Sequence, residues 1–352
     1  TATAAHDFHL HRKTLSMARS KRTFAGTSGR GFSLVELMVS MLLGVILSAG
    51  FVSTYLGAKR NAFYDEQMAR MQESGRYAMR LLSRELAMVG FYAGVPSMDG
   101  VVPVSVGGDC SHQNWALDAE NALDFVNDYP GNSVPVSQNS TAFTCLDNAA
   151  IQLNTDLLVI KRTAGEASLR RGVVADGLTA STGEVWYFRL ALGGSAQWEK
   201  LRPIDLLDPS IAVPSLSYWE AVSRIFFIRR YSESDSQGDA IPTLCMETLA
   251  GDKMTSRCLV EGVEDLQFEF GIDTDADGVP NQYKSAPTGD EMQHAVVAKI
   301  YILLRSISMI PGYKDQKSYA LGQKIMPPRH DFYLRRVISS SILLRNWIKP
   351  LG

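Results

Sequence analysis

The stretch GFSLVE, residues 31–36, opens an apolar run that extends from Phe32 to Leu56 and contains one charged residue, Glu36. A run of this length can cross a bilayer as a single helix. An acidic side chain at the centre of a membrane helix costs about 2.5–3.5 kcal/mol, so an intramembrane carboxylate usually has a partner and a role. The sequence therefore predicts a membrane helix whose Glu36 meets a cation.

The residues before the run indicate where this cation comes from. A cut after Gly31 would create a new terminal amine on Phe32, close in sequence to Glu36. A neighbouring copy of the helix could offer its amine to this carboxylate. The segment from Met17 to Gly31 contains basic residues and no acidic one, which is typical of a cytoplasmic leader under the positive-inside rule.

A short basic segment, a Gly-Phe junction and a Glu inside an unbroken apolar run together resemble the class III signal of type IV pilins and type II secretion pseudopilins. The resemblance implies that cleavage follows Gly31 and that Phe32 becomes the methylated first residue. Glu36 would be the fifth residue of the mature chain and would act in assembly of the subunits. The alternatives are an ordinary signal anchor and a cleaved secretory signal. A secretory signal has a shorter apolar core followed by a small-residue cleavage site, whereas here the cut would precede the core.

The helical pattern continues beyond the apolar run. Apolar residues recur from Tyr64 to Val89 at steps of three or four, and charged residues fill the other positions. Glycines at positions 90 and 94 and a proline at 96 end the pattern. One long helix from Phe32 to Val89 is therefore predicted. Its first half is apolar all round, and its second half packs on a downstream domain.

These patterns divide the chain into four parts. A leader covers residues 1–31, of which 1–16 are interpreted as upstream or non-native sequence because Met17 is the first methionine. A transmembrane and assembly half-helix covers 32–56, its amphipathic continuation covers 57–94, and a globular domain covers 95–352. Net charge is −2, with 35 basic and 37 acidic residues, so the charge balance gives no indication of direct nucleic-acid binding.

All four cysteines lie beyond the membrane segment. An even number of cysteines in an oxidising compartment predicts two disulfides, for which three pairings exist. Proximity in sequence favours Cys110 with Cys145 and Cys245 with Cys258. The resulting topology is a cytoplasmic leader, one span and an exterior domain.

The globular domain changes character near residue 151. Residues 95–150 are rich in Gly, Ser, Asn, Asp and Pro, which predicts an irregular region tied by a disulfide. From 151 onwards, β-branched and aromatic runs separated by turn signals predict strands at 157–161, 185–190, 225–230, 266–271, 296–304 and 332–344. Because helical patterns are missing between them, the predicted fold class is α+β. A long N-terminal helix would carry a C-terminal antiparallel β-sheet domain.

A second motif, DTDADG at residues 273–278, matches the first half of a calcium loop. Asp273, Asp275 and Asp277 would supply carboxylates and Asn281 a further ligand. The twelfth position of an EF-hand loop would be Lys284, and the preceding residues alternate as a strand, so the segment is not an EF-hand. Glu291 or Asp290 is a candidate to complete the ligand set. The alternative is an acidic, solvated turn between strands. No other cofactor is indicated.

The sequence contains no catalytic signature such as G-x-S-x-G, H-E-x-x-H, a P-loop or a dinucleotide fingerprint, which predicts that the chain is not an enzyme. Acidic residues 264–265 are interpreted as a solvated strand edge. The arginine pairs at 229–230 and 335–336 are interpreted as exposed decoration of a sheet edge.

The C-terminal portion extends the resemblance. The order of EGVEDLQF at 261–268, DTDADG at 273–278, VVAKI at 296–300 and LLRN at 343–346 is similar to PilW-type minor pilins of type IV pili. This resemblance implies a low-abundance subunit that is cut by prepilin peptidase, primes pilus assembly and sits at the tip, supporting twitching motility or adhesion. Implied partners are other minor pilins, the major pilin, a tip adhesin, the inner-membrane assembly platform and the bilayer.

The resemblance also implies a location. The precursor would be a single-pass inner-membrane protein with its domain in the periplasm, and it would later be part of the pilus at the cell surface. The main alternative is a minor pseudopilin of a type II secretion system, which has the same N-terminal chemistry. A membrane-anchored periplasmic enzyme or binding protein is a third reading, and it would require a clustered polar site.

Overall fold

The computed structural model describes residues 31–98, 100–111, 114–233 and 238–347. The chain forms two compact units, residues 1–58 and 59–352. The described part of the first unit consists of residues 31–33 and the beginning of helix α1, which spans Leu34–Met88. The predicted helix from Phe32 to Val89 is confirmed to within two residues at each end.

The part of α1 in the first unit is exposed. Its most apolar 18-residue window has a mean hydropathy of 2.2 and is not buried at all. Large apolar side chains such as Leu34, Phe51 and Val45 are more than half exposed. By length and composition, the helix could cross a membrane.

The part of α1 in the second unit is amphipathic, as its sequence predicts. Ala78, Leu82 and Leu86 are fully buried on the side that faces the domain. The helix ends at Met88, and Gly90 in the turn that follows has φ +74° and donates its N–H to the carbonyl of Lys161. A Cβ at this position would lie 2.8 Å from a backbone oxygen of Asn346, so glycine is required by both conformation and space.

The second unit contains fifteen strands within the described residues, and every ladder between them is antiparallel. A four-residue helix α2, Gly289–Met292, and two short 3₁₀ helices accompany them. The strands are β1 Leu123–Val126, β2 Leu157–Thr163, β3 Leu169–Arg170, β4 Val173–Val174, β5 Val185–Ala191, β6 Ala196–Leu201, β7 Leu216–Arg229, β8 Thr243–Ala250, β9 Lys253–Glu261, β10 Val263–Ile272, β11 Gln282–Lys284, β12 Ala295–Arg305, β13 Tyr319–Leu321, β14 Lys324–Met326 and β15 Arg335–Leu343.

Two sheets and one hairpin organise these strands. Strands β1 to β9 form a nine-stranded sheet around the long β7, and a four-stranded sheet has the order β11-β10-β12-β15. Strands β13 and β14 pair only with each other. A continuous apolar core includes residues from both sheets and from α1. Phe125 of the first sheet and Phe270 of the second meet there with ring centroids 4.9 Å apart. The predicted fold class, a long helix followed by an antiparallel sheet domain, is confirmed.

Both disulfides join the pairs that proximity favours. Cys110 is bonded to Cys145 within the irregular region, and Cys245 is bonded to Cys258 across the β8–β9 hairpin. Every cysteine of the chain is therefore in a disulfide. The first bond ties together a segment with little regular structure, in which β1 and one 3₁₀ helix are the assigned elements.

Candidate functional site

The N-terminal end of α1 presents Glu36 among exposed apolar side chains. Phe32 and Leu34 are 80% and 74% exposed. The helix satisfies other polar groups locally, because Ser40 donates its hydroxyl to the Glu36 carbonyl and Thr54 donates to the Gly50 carbonyl at 3.0 Å. No side chain in the described ranges pairs with the Glu36 carboxylate. The first turn thus holds an acidic group that needs an external partner once it is in an apolar environment.

The structure places the processing and assembly residues close to one another. Gly31 and Phe32 precede the first helical residue, Leu34, and Glu36 lies in the first turn of α1. A carboxylate in the first turn is favoured by the positive end of the helix dipole. The basic leader residues 17–30 lie outside the described part of the chain. The roles of Gly31, Phe32 and Glu36 in cleavage, methylation and assembly stay predictions.

The acidic loop after β10 brings its three carboxylates together. Oxygens of Asp273, Asp275 and Asp277 lie within 4.8 Å of one another. Asn281 also faces this loop, because its side-chain oxygen accepts from the Thr274 N–H at 2.6 Å and its amide donates to Asp275 at 3.3 Å. All four residues predicted as calcium ligands are therefore neighbours.

Backbone donors organise the first carboxylate of the loop. Asp273 accepts the N–H groups of Ala276 and Gly278, each at 2.7 Å. Burial acts to raise the pKa of Asp273, but the N–H groups of Gly278 and Ala276 outweigh it and hold that pKa below its usual value. Asp273 thus stays ionised beside two further carboxylates.

The predicted outer ligand Glu291 has other partners. Its carboxylate accepts the N–H of Thr288 at 2.9 Å, which completes the capping box of α2, and it pairs with Lys284. This arrangement gives a reason for lysine at the position where an EF-hand has its bidentate glutamate. Any cation bound here would rely on the three aspartates, Asn281 and water.

Calcium binding is a direct prediction of this loop. We expect millimolar calcium to stabilise the full chain by about 1–3 kcal/mol at tenfold to hundredfold excess over Kd. The Asp275→Asn/Asp277→Asn double variant should lose the effect, whereas the exposed Asp208→Asn control should keep it. Thermal melts in calcium and in chelator measure the stabilisation, and calorimetric titration measures calcium binding, for the wild-type chain and for both variants. Absence of heat and of stabilisation in the wild-type chain would instead show a solvated acidic turn.

A buried ion-pair cluster fixes α1 to the first sheet within the second unit. Glu85 has no exposed surface, and its carboxylate binds Arg162 of β2 at 2.9 Å and Arg224 of β7 at 2.6 Å. The sequence analysis missed this cluster. Its signal was Glu85 itself, an acidic residue that falls on the apolar stripe between Leu82 and Leu86.

The interpretation of arginines 335 and 336 as exposed decoration is wrong for Arg335. This side chain is 1% exposed and binds Glu264 at 2.5 Å, Asp315 at 2.9 Å and Asp331 at 2.6 Å. The interpretation of residues 264–265 as a solvated edge is also wrong, because Glu264 is a partly buried ion-pair partner of Arg335 and Asp265 is buried. Three carboxylates can surround one guanidinium because its donors form a planar fork. Arg336, by contrast, is exposed.

Two segments of the chain match known protein families. Residues 28–52, which include the Gly31–Glu36 region, match the prokaryotic N-terminal methylation motif. Residues 225–346, which include β8 to β15, match the family described as type IV pilus-assembly protein W, PilW. The two matches together support a PilW-type minor pilin of type IV pili. The methylation motif thus lies on the exposed apolar helix, and the PilW match covers the whole four-stranded sheet.

Two further comparisons concern curated proteins and solved structures. Among curated proteins, none matches the chain. Among solved structures, the chain is similar to a type IV-like pilin from Thermus thermophilus at 11% sequence identity, with a TM-score of 0.34. That similarity covers 79% of this chain and 97% of the other.

Proposed function

We propose that this chain is a minor pilin that primes assembly of the type IV pilus and is located at its tip. The observation that carries the proposal is the uncovered apolar helix with a lone carboxylate near its start. In the described residues, nothing packs on the most apolar window of α1, and nothing pairs with Glu36. Such a helix is suited to packing among other helices of the same kind.

In the proposed mechanism, prepilin peptidase cuts between Gly31 and Phe32, and the new amine is methylated. The precursor is held in the inner membrane by α1, with its disulfide-bonded domain in the periplasm. Assembly moves the apolar half-helix from lipid into a bundle of neighbouring helices. Lipid is as apolar as the bundle, so close packing and polar contacts supply the driving force. A Glu36 carboxylate meeting the Phe32 amine of a neighbour would fix the axial register.

The proposal makes the chain a structural subunit without catalytic activity. Its partners would be other minor pilins, the major pilin, a tip adhesin, the peptidase and the inner-membrane assembly platform. The large domain, residues 95–352, would then face outward at the tip, where twitching motility and adhesion need a contact surface. A role in type II secretion, as a minor pseudopilin, is the competing function because it uses the same helix chemistry.

A deletion strain separates these two functions. We expect loss of surface pili and of twitching, with normal export of folded secretion substrates, and restoration of pili by the wild-type chain. The chain itself should be recovered in sheared pilus fibres at low abundance. Normal piliation with lost secretion would favour the pseudopilin role. Normal piliation and normal secretion together would contradict both and favour a membrane-anchored binding protein or enzyme.

A further inference from the structure

Among the described residues, strand β15 is a long edge of the four-stranded sheet with one side unpaired. It pairs with β12 on one side and lies at the end of the strand order. The Leu344 N–H donates to Val296 and the Leu334 carbonyl accepts from Ser306, so even-numbered residues direct their backbone groups toward β12. Because these directions alternate in an antiparallel ladder, the N–H and C=O groups of Val337, Ser339 and Ser341 point away from the sheet.

This edge lacks the features that normally protect an edge strand. From Val337 to Leu343 it contains no charged residue and no proline. The opposite edge of the same sheet, β11, is only three residues long. The edge strand β9 of the first sheet carries exposed charges, including Arg257. An edge strand whose last seven residues, 337–343, lack such protection can accept another strand.

An open groove of about 530 Å³ runs alongside β15, between that strand and α1. Its apolar lining includes Met79 of α1, Leu304 of β12 and Ile338 of β15. The helix approaches the sheet closely here because Gly75 has no side chain. A Cβ at that position would lie 2.3 Å from the Leu304 side chain. The groove therefore belongs to the packed second unit.

Three arginines line this groove and give it a positive charge. Arg76 and Arg80 are one helical turn apart on α1, and Arg336 comes from β15. All three are exposed, and none lies within 4 Å of a carboxylate among the described residues. Arg162 and Arg335 in the same unit, in contrast, are buried and paired. The groove thus has an unneutralised charge beside an unpaired strand.

We infer that β15 and this groove bind an extended, acidic segment of a partner subunit, which adds a strand to the sheet. Backbone groups of the segment would pair with Val337, Ser339 and Ser341. Every second side chain would then point to the α1 side, where carboxylates reach the arginines. A second copy of this chain fits poorly because it would bring the same arginines to the same groove. That the partner is a pilus subunit rests on the proposed function, whereas the binding chemistry of β15 and the groove does not.

The test uses the full-length chain in detergent micelles and two fluorescent nine-residue peptides, one alternating Glu and Val and the other alternating Lys and Val. Fluorescence anisotropy should show binding of the Glu/Val peptide at least tenfold tighter than that of the Lys/Val peptide. The Arg80→Glu/Arg336→Glu double variant should bind the Glu/Val peptide at least tenfold more weakly than the wild-type chain. Arg257→Glu on β9, the matched control, should not change it.

A second variant tests the strand addition itself. Ser339→Pro removes one outward N–H and blocks the ladder, and proline is tolerated where an edge N–H faces solvent. Ser339→Pro should abolish binding of the Glu/Val peptide and leave the melting temperature of the chain unchanged. If Ser339→Pro does not fold, the arginine variants test the inference instead. Equal binding of both peptides, or no binding of either, would overturn the inference. Self-association of the chain that Ser339→Pro abolishes would also overturn it, since β15 would then pair with a second copy.

Discussion

Glu36→Ala is expected to remove the chain from sheared pili while leaving cleavage after Gly31 intact. The cut depends on residues at the junction, whereas the carboxylate is needed when the helix joins its neighbours. Without Glu36, the Phe32 amine of an adjacent subunit would be left unpaired in an apolar bundle. Removing one member of a buried ion pair costs about 3–5 kcal/mol, which corresponds to a loss of more than a hundredfold in incorporation.

The measurement compares the chain in the pilus fraction with the chain in the membrane fraction. Glu66→Ala is the matched control, since it removes an acidic residue from α1 outside the apolar run, where Glu66 is exposed and paired with Arg70. The control should reach pili at wild-type levels. Wild-type incorporation of Glu36→Ala would show that the carboxylate does not select or position subunits, and the proposed register mechanism would fail.

Glu85→Ala is expected to destabilise the domain by about 3–5 kcal/mol, because the substitution leaves Arg162 buried and uncompensated. Burial already lowers the pKa of Arg162, and the neighbouring Glu85 opposes that effect. Since Glu85 also binds Arg224, its loss affects both strands that receive α1. Urea unfolding of the full chain in detergent, followed by tryptophan fluorescence, measures the change.

Arg84→Ala is the control for this second prediction. Arg84 contacts the same carboxylate at 3.6 Å, but its side chain is 68% exposed. Exposed ion pairs contribute about 0–1 kcal/mol, so the control should be close to wild type. If Glu85→Ala and Arg84→Ala had equal and small effects, the buried cluster would not be what holds α1 on the first sheet.

The sequence was most informative where one periodic signal dominated. The helix ends are placed to within two residues because apolar spacing and the terminal Gly90 agree. The strand predicted at 296–304 lies within β12 at 295–305 because its β-branched run is continuous. The strand predicted at 332–344 begins later, at Arg335. The hairpin β8–β9 was not predicted, because β9 includes the stretch from Lys253 to Arg257, which has the composition of a loop.

Of the candidate sites, those formed by residues close in sequence could be predicted, and those formed by distant residues could not. Asp273, Asp275 and Asp277 are adjacent in sequence, so their clustering could be foreseen. The cluster around Arg335 could not be foreseen, because its carboxylate partners are residues 264, 315 and 331, which meet only through the fold. The β15 edge was equally hidden, since strand order is a tertiary property. Local patterns therefore found the processing and acidic motifs, and the structure was needed for the buried clusters and the arginine-lined groove.

The most direct test of the central claim is the intact mass of the N-terminus in cells with and without prepilin peptidase. The account predicts a mature chain that begins at N-methylated Phe32 only when the peptidase is present, and an unprocessed chain in its absence. A chain that still carries the segment from Met17 to Gly31 in both strains would contradict it. Such a result would show a plain signal anchor and would remove the basis for pilus assembly through Phe32 and Glu36.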